Sequence, residues 1–127
     1  MRDLSNNIGA KLAVAPAVLT ATTNGLAIDV KDFGSCAFVI NTGAIAGAGL
    51  FTAKLQESDT GSSAWTDVAP EQITGALPAA LEASSSAKAG YIGYKRYVRL
   101  VLTLVSGTSI AAGAVAILDH AAKRPVA

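Results

Sequence analysis

Nowhere in the chain does helical periodicity persist for the roughly 12 residues of a stable helix, and that constrains the fold more than any other feature. From Leu26 onward the sequence breaks into short runs of period-two alternation, separated by glycine, serine and aspartate. Leu26, Ile28 and Val30 share one face of the first run, which Lys31-Asp32-Phe33-Gly34 closes with turn residues. Residues 36–40, Cys-Ala-Phe-Val-Ile, form the next strand, and residues 41–49, with Gly43, Gly47 and Gly49, read as a glycine-rich loop. Residues 50–58 alternate cleanly: Phe51, Ala53 and Leu55 point one way, Thr52, Lys54 and Gln56 the other, so one face is packed and one is wet. Asp59-Thr60-Gly61-Ser62 turns the chain into residues 64–68, a hairpin whose Trp65 is expected to anchor the core.

Residues 70–89 read as a long loop, because Gly75, Pro78 and the serines at 84–86 interrupt the spacing of Ile73, Leu77 and Leu81. Residues 90–105 are the longest strand candidate. By parity Tyr94, Arg96, Val98, Leu100, Leu102 and Leu104 share the core face, and Lys95, Tyr97 and Arg99 begin the other. Residues 106–109 turn, and residues 110–118 run back as the expected partner strand. Residues 1–24 are rich in small side chains, carry Pro16 and read as extended. The expected fold is therefore all-β, an antiparallel β-sandwich or jelly-roll-like barrel at 25–118, with an extended N-terminal arm at 1–24 and a C-terminal tail at 119–127.

A chain of 127 residues fits one domain with a real core. Hydrophobic residues make up 51% and charged residues only 15%, against roughly 25% charged in an average soluble domain, and that apolar surplus points to protein partners. Ten basic and nine acidic residues leave a net charge of +1, so no global field draws the chain onto nucleic acid or an anionic membrane. No window approaches the roughly 18 uninterrupted apolar residues of a membrane span.

Catalytic and metal chemistry lack their parts. The sole histidine, His120, lies in the tail beside Asp119, far in sequence from the apolar run that holds the sole cysteine, Cys36. One Cys and one His do not make a four-ligand zinc site, the acidic residues are scattered around turns, and Gly43, Gly47 and Gly49 lack the lysine of a phosphate loop. No enzyme activity, cofactor or small-molecule substrate is expected. The row Lys95-Tyr97-Arg99 has the cation-aromatic-cation order that stacks bases in sheet-surface RNA readers, but the helices that cover such sheets are missing. The row is expected to face water or a protein neighbour. Trp65 and the tyrosines leave a carbohydrate-binding β-sandwich module as a further alternative.

Three segments, residues 51–58 (Phe-Thr-Ala-Lys-Leu-Gln-Glu-Ser), 64–68 (Ala-Trp-Thr-Asp-Val) and 90–99 (Gly-Tyr-Ile-Gly-Tyr-Lys-Arg-Tyr-Val-Arg), occur in an order that resembles small virion proteins of tailed bacteriophages. Within these the chain is most similar to head decoration, or cement, proteins. The resemblance spans roughly residues 26–118. It implies a non-enzymatic virion structural protein, made in the host cytoplasm, that binds the outer capsid surface as a homo-oligomer and stabilises the capsid by bridging neighbouring major-capsid subunits. A tail or neck protein of the virion is the alternative. The expected contact residues are Leu4, Ile8, Leu12 and Val14 in the arm, Ile45 in the glycine-rich loop, the tail, and Lys95, Tyr97 and Arg99.

Overall fold

The computed structural model describes residues 1–126, so Ala127, the last residue of the expected tail, lies outside the described residues. Among the described residues ten strands follow in chain order: β1 (Gly9–Leu19), β2 (Thr23–Asn24), β3 (Ile28–Asp29), β4 (Ser35–Ala46), β5 (Leu50–Ser58), β6 (Thr66–Asp67), β7 (Ile73–Gly75), β8 (Ser86–Tyr91), β9 (Tyr97–Ser106) and β10 (Ser109–Asp119). A single 3-10 turn, Pro70–Gln72, is the only helical element among the described residues.

All strand pairs are antiparallel and fall into two sheets. Sheet A runs β1-β10-β4-β8-β7; sheet B runs β2-β9-β5-β6, with β3 also on β9. Taking β2 and β3 as one broken strand and leaving out the short β7, the strands in chain order read 1-8-3-6 and 2-7-4-5. That is a jelly roll, the two-sheet solution that leaves few free edges.

The core fills the space between the sheets by alternation. Sheet A contributes Phe38, Ile40, Ile110 and Leu118; sheet B contributes Phe51, Leu55, Val98, Leu100 and Leu102, all 0–1% exposed. Large and small side chains are matched across strands: Phe38 lies between Ala116 and Ala89, and Ile40 between Ala114 and Ala87. This lets the layers interlock.

Several expectations change. Residues 90–105 are not one strand. β8 ends at Tyr91 in sheet A and β9 begins at Tyr97 in sheet B, and the chain crosses between the layers at 92–96. The crossing wraps around Tyr91, whose hydroxyl accepts the Lys95 backbone N–H at 3.0 Å; Gly93 permits it, because a Cβ there would press into the Tyr91 ring. Parity does not carry across such a break: Val98, Leu100 and Leu102 are core as expected, whereas Tyr94 is 79% exposed and Arg96 is exposed too.

β9 and β10 do not pair either, since their turn also changes sheet. This arch nests against the β4–β5 arch. Gly107 holds a φ of 80°, and a Cβ there would collide with the Ala48 carbonyl. The expected loop at 41–49 shrinks to its last residues, because β4 continues to Ala46 by pairing Ile45 with Ile110 and Ala46 with Ser109. The expected long loop at 70–89 holds β7 and most of β8.

Residues 1–24 are extended but do not stand away from the domain. Gly9–Leu19 is the edge strand β1, paired with β10 and placing Ala13, Val14 and Leu19 in the core. Pro16 is accommodated because β1 is an edge, where register shifts between Leu12, Val14 and Ala17 bend the strand.

Candidate functional site

The outer face of sheet B gathers most of the polar chemistry. Arg99 donates twice to Gln56 Oε1, at 2.7 and 3.0 Å, and its guanidinium lies 4.4 Å from the Trp65 ring centroid. Gln56 donates to Asp67 at 3.0 Å, and Lys54 reaches the same carboxylate at 3.3 Å. These two contacts hold the Asp67 carboxyl below its usual range, the Gln56 hydrogen bond foremost. Trp65 is therefore not the core anchor expected of it: it is half-buried and roofs Arg99, a cation-π stack that uses one face of the indole.

Lys95 pairs with Asp59 at 2.8 Å, which raises the lysine's pKa. Arg96 forks onto Asp29 at 2.9 and 3.1 Å, and that hydrogen-bonded pair pulls the Asp29 carboxyl down to about 2. Tyr97 packs under the Arg96 guanidinium, 5.1 Å away, and against Gly61. So Tyr97 and Arg99 follow along β9 with Lys95 in the crossing segment before them, and each is already engaged by its own chain. A base-stacking, phosphate-binding row needs free cations, and these have partners.

The remaining expected contact residues are dispersed. Leu4 is 63% and Leu12 50% exposed, whereas Val14 is 3% exposed and belongs to the core. Ile8 is half-buried. Ile45 lies within β4, packed against the core and not on a loop. The tail folds back on the domain: Val126 N–H donates to the Asn6 carbonyl at 2.9 Å, and Ala122 N–H to that of Asp32 at 2.8 Å.

Among the described residues three titratable side chains are enclosed, Cys36, Glu57 and Tyr91. Burial pushes the Cys36 thiol up to about 12, leaving an inert side chain. Tyr91 donates to Glu57 Oε2 at 2.6 Å, linking β8 of sheet A to β5 of sheet B, and burial together with this carboxylate raises its pKa. Ser35 Oγ lies 2.9 Å from His120 Nδ1, but Asp119 bonds the His120 backbone N–H and not the ring, so no third group orients the imidazole as a hydrolytic device requires. Among the described residues no three His, Cys, Asp or Glu side chains converge as metal ligands, and no helix is long and apolar enough to cross a membrane.

The outer face of sheet A has the opposite character. Ala10 and Leu12 of β1, Ala111, Val115 and Ile117 of β10, and Ala37 and Val39 of β4 point away from the core. Apart from Leu12, nothing in the reading of individual motifs singles them out. The signal is in β10, where residues 110–118 contain no polar side chain at all, the pattern of a strand covered on both faces.

The fold and its apolar sheet face define an antiparallel jelly-roll sandwich with a surface suited to protein contact. No protein-family model matches the chain, and no curated protein matches it. The solved SPBc2 prophage-derived protein YomS is similar in fold, with a TM-score of 0.52 and 12% identity over 87% of this chain and 93% of that one. A structure of infectious bursal disease virus Gx strain gives a TM-score of 0.47 at 12% identity, covering 93% of this chain but 34% of that one.

Proposed function

We propose that the protein is a non-enzymatic structural component of a tailed-phage virion that sits on the outer capsid surface and stabilises the shell by bridging neighbouring major-capsid subunits. The observation that carries this reading is the correspondence of its whole fold with a prophage-derived protein of similar extent, 87% of one chain against 93% of the other. The order of the three segments resembling decoration proteins points the same way, and a surface of low charge suits tight packing on a protein lattice.

Under this reading the exposed Leu4, the half-buried Ile8 and the tail held at Asn6 form one contact region just ahead of β1. Because β1 begins at Gly9, residues 2–7 can be removed without touching sheet A. Purified heads lacking the protein are mixed with the full chain and with the 2–7 deletion, and occupancy is read by sedimentation and by imaging the particles. The full chain is expected to decorate the outer shell, and the deletion to lose occupancy about tenfold or more, equivalent to roughly 1.4 kcal/mol. Absence of binding to heads overturns the capsid assignment; density on the neck or tail of the imaged virion transfers the role there.

A further inference from the structure

The register of sheet A sets the outward side chains in rows across the strands. Leu12, Val115, Val39 and Lys88 form one row; Ala10, Ile117, Ala37 and Gly90 form the next. Of these eight, Lys88 alone is charged, and it stands at the margin on β8. A hollow of about 530 Å³ over Gly43 and Gly113 lies on one side of the Leu12 row, and a hollow of about 390 Å³ over Gly90 lies on the other. The face is thus a low apolar ridge between two glycine-floored depressions.

The edges of the sandwich are closed to partners. β1 carries Pro16 and two register shifts, while β7 has three residues and β2 and β6 two each, so strand addition finds no long straight edge. Association is left to the face. The chain exposes 7000 Å², while a folded monomer of 12.7 kDa exposes about 6,200 Å². That surplus, roughly 800 Å², equals one partner's share of a standard interface. Four strands about 4.8 Å apart and about ten residues long give the face itself on the order of 650 Å², which is the same scale.

We propose that this face is a self-association surface whose occupant is the same face of a second copy, packed sheet on sheet about a two-fold axis. A ridge beside a hollow on one surface is what an isologous contact requires, because the axis lays the ridge of each copy over a hollow of the other. Ala10, Ala37 and Gly90 in these rows, with Gly43 and Gly113 in the hollow beside them, let the two sheets approach to the ordinary spacing of about 10 Å. The proposal stands apart from the virion reading, and its failure would leave capsid binding untouched.

Sedimentation equilibrium of the full chain tests it. The expected mass is twice 12.7 kDa, falling to one copy in Val115→Lys, with a dissociation constant at least about 100-fold weaker because a lysine would be buried without a partner. Far-UV circular dichroism checks that the variant is folded. Leu12→Lys, on the half-exposed margin of the edge strand, gives the same readout with less risk to folding. A wild-type chain that is monomeric at about 100 μM, a dimer that survives both substitutions, or a trimer overturns the proposal. So does a monomer whose Val115→Lys variant loses only its retention on capsids, which assigns the face to the capsid protein instead.

Discussion

On the outside of sheet A, Leu12, Val115 and Val39 lie side by side with a single lysine at the margin, whereas on the outside of sheet B, Lys54, Gln56, Arg99, Asp67 and Trp65 are tied into one hydrogen-bonded and stacked group. Both surfaces cover the same core from opposite sides. Sheet B satisfies its own polar groups and asks nothing of a neighbour. Sheet A leaves apolar area facing water at roughly 25 cal/mol per Å², and that free energy is recovered only by covering it. The two faces differ because alternation in β5 sets polar residues opposite the core, while residues 110–118 of β10 have none to set there.

Two adjacent residues of β4 tell the inner and outer faces apart most directly. Phe38→Ala, on the inner face, is expected to cost about 3–5 kcal/mol of unfolding free energy in urea titration. Val39→Ala, on the outer face, should cost under about 1 kcal/mol in the monomer. Equal losses would mean that the outer face of sheet A is packed within the chain and not free. Next in size is Tyr91→Phe, which strips Glu57 of its buried hydrogen-bond donor and the Lys95 N–H of its acceptor; a loss of about 1–3 kcal/mol is expected, with the midpoint of thermal melting as the check. A smaller effect is expected on sheet B. Trp65→Ala removes the stack on Arg99 and should cost about 0.5–1 kcal/mol while leaving the mass in solution unchanged, in contrast to the sheet A substitutions.

The smallest effect is a pH dependence at the margin of sheet B. The Asp29 carboxyl is lowered from 3.8 to about 2 by Arg96, so the folded state favours the ionised form. That contribution is present in full above the unfolded pKa and is lost as pH falls from about 4 through about 2. The pair is partly exposed and screened, so it amounts to no more than about 1 kcal/mol. Wild type should lose this increment between those pH values in denaturant titrations, and Arg96→Gln should not; identical pH profiles would show that the pair contributes nothing.

Much of this was legible in the residues. The alternation of Phe51, Ala53 and Leu55, the turn before Trp65 and the core face Val98-Leu100-Leu102 all follow from a period of two, and they suffice for an antiparallel sandwich. Period two states which side of a strand is buried; it does not state which sheet the strand joins. That is why residues 90–105 looked continuous and why β10 looked like the hairpin partner of β9, although both turns change layer. Glycine and alanine hid the other strands. Residues 41–46 and 9–19 are too small and too unpatterned to read as strands, and they become strands because β10 lies between β4 and β1 and pairs with both. Trp65 misled for a different reason: its large apolar ring found a guanidinium on the outer face, which composition does not foretell. Of the expected contact residues, the fold buries Val14 and engages Lys95 and Arg99, and it leaves Leu4 and Leu12 exposed.

The pairing of β1 with β10 has a consequence in time. β1 spans Gly9–Leu19 and its ladder partner spans Ser109–Asp119, so the first strand made needs the last. At about 5–20 residues per second of synthesis, the intervening stretch of about a hundred residues leaves β1 waiting for on the order of 5–20 s. The β5–β6 hairpin can close early, but sheet A cannot be completed until β10 has emerged. The proline at position 16 that guards an edge in the finished sandwich also keeps the nascent strand a poor template for its neighbours on the polysome during that wait.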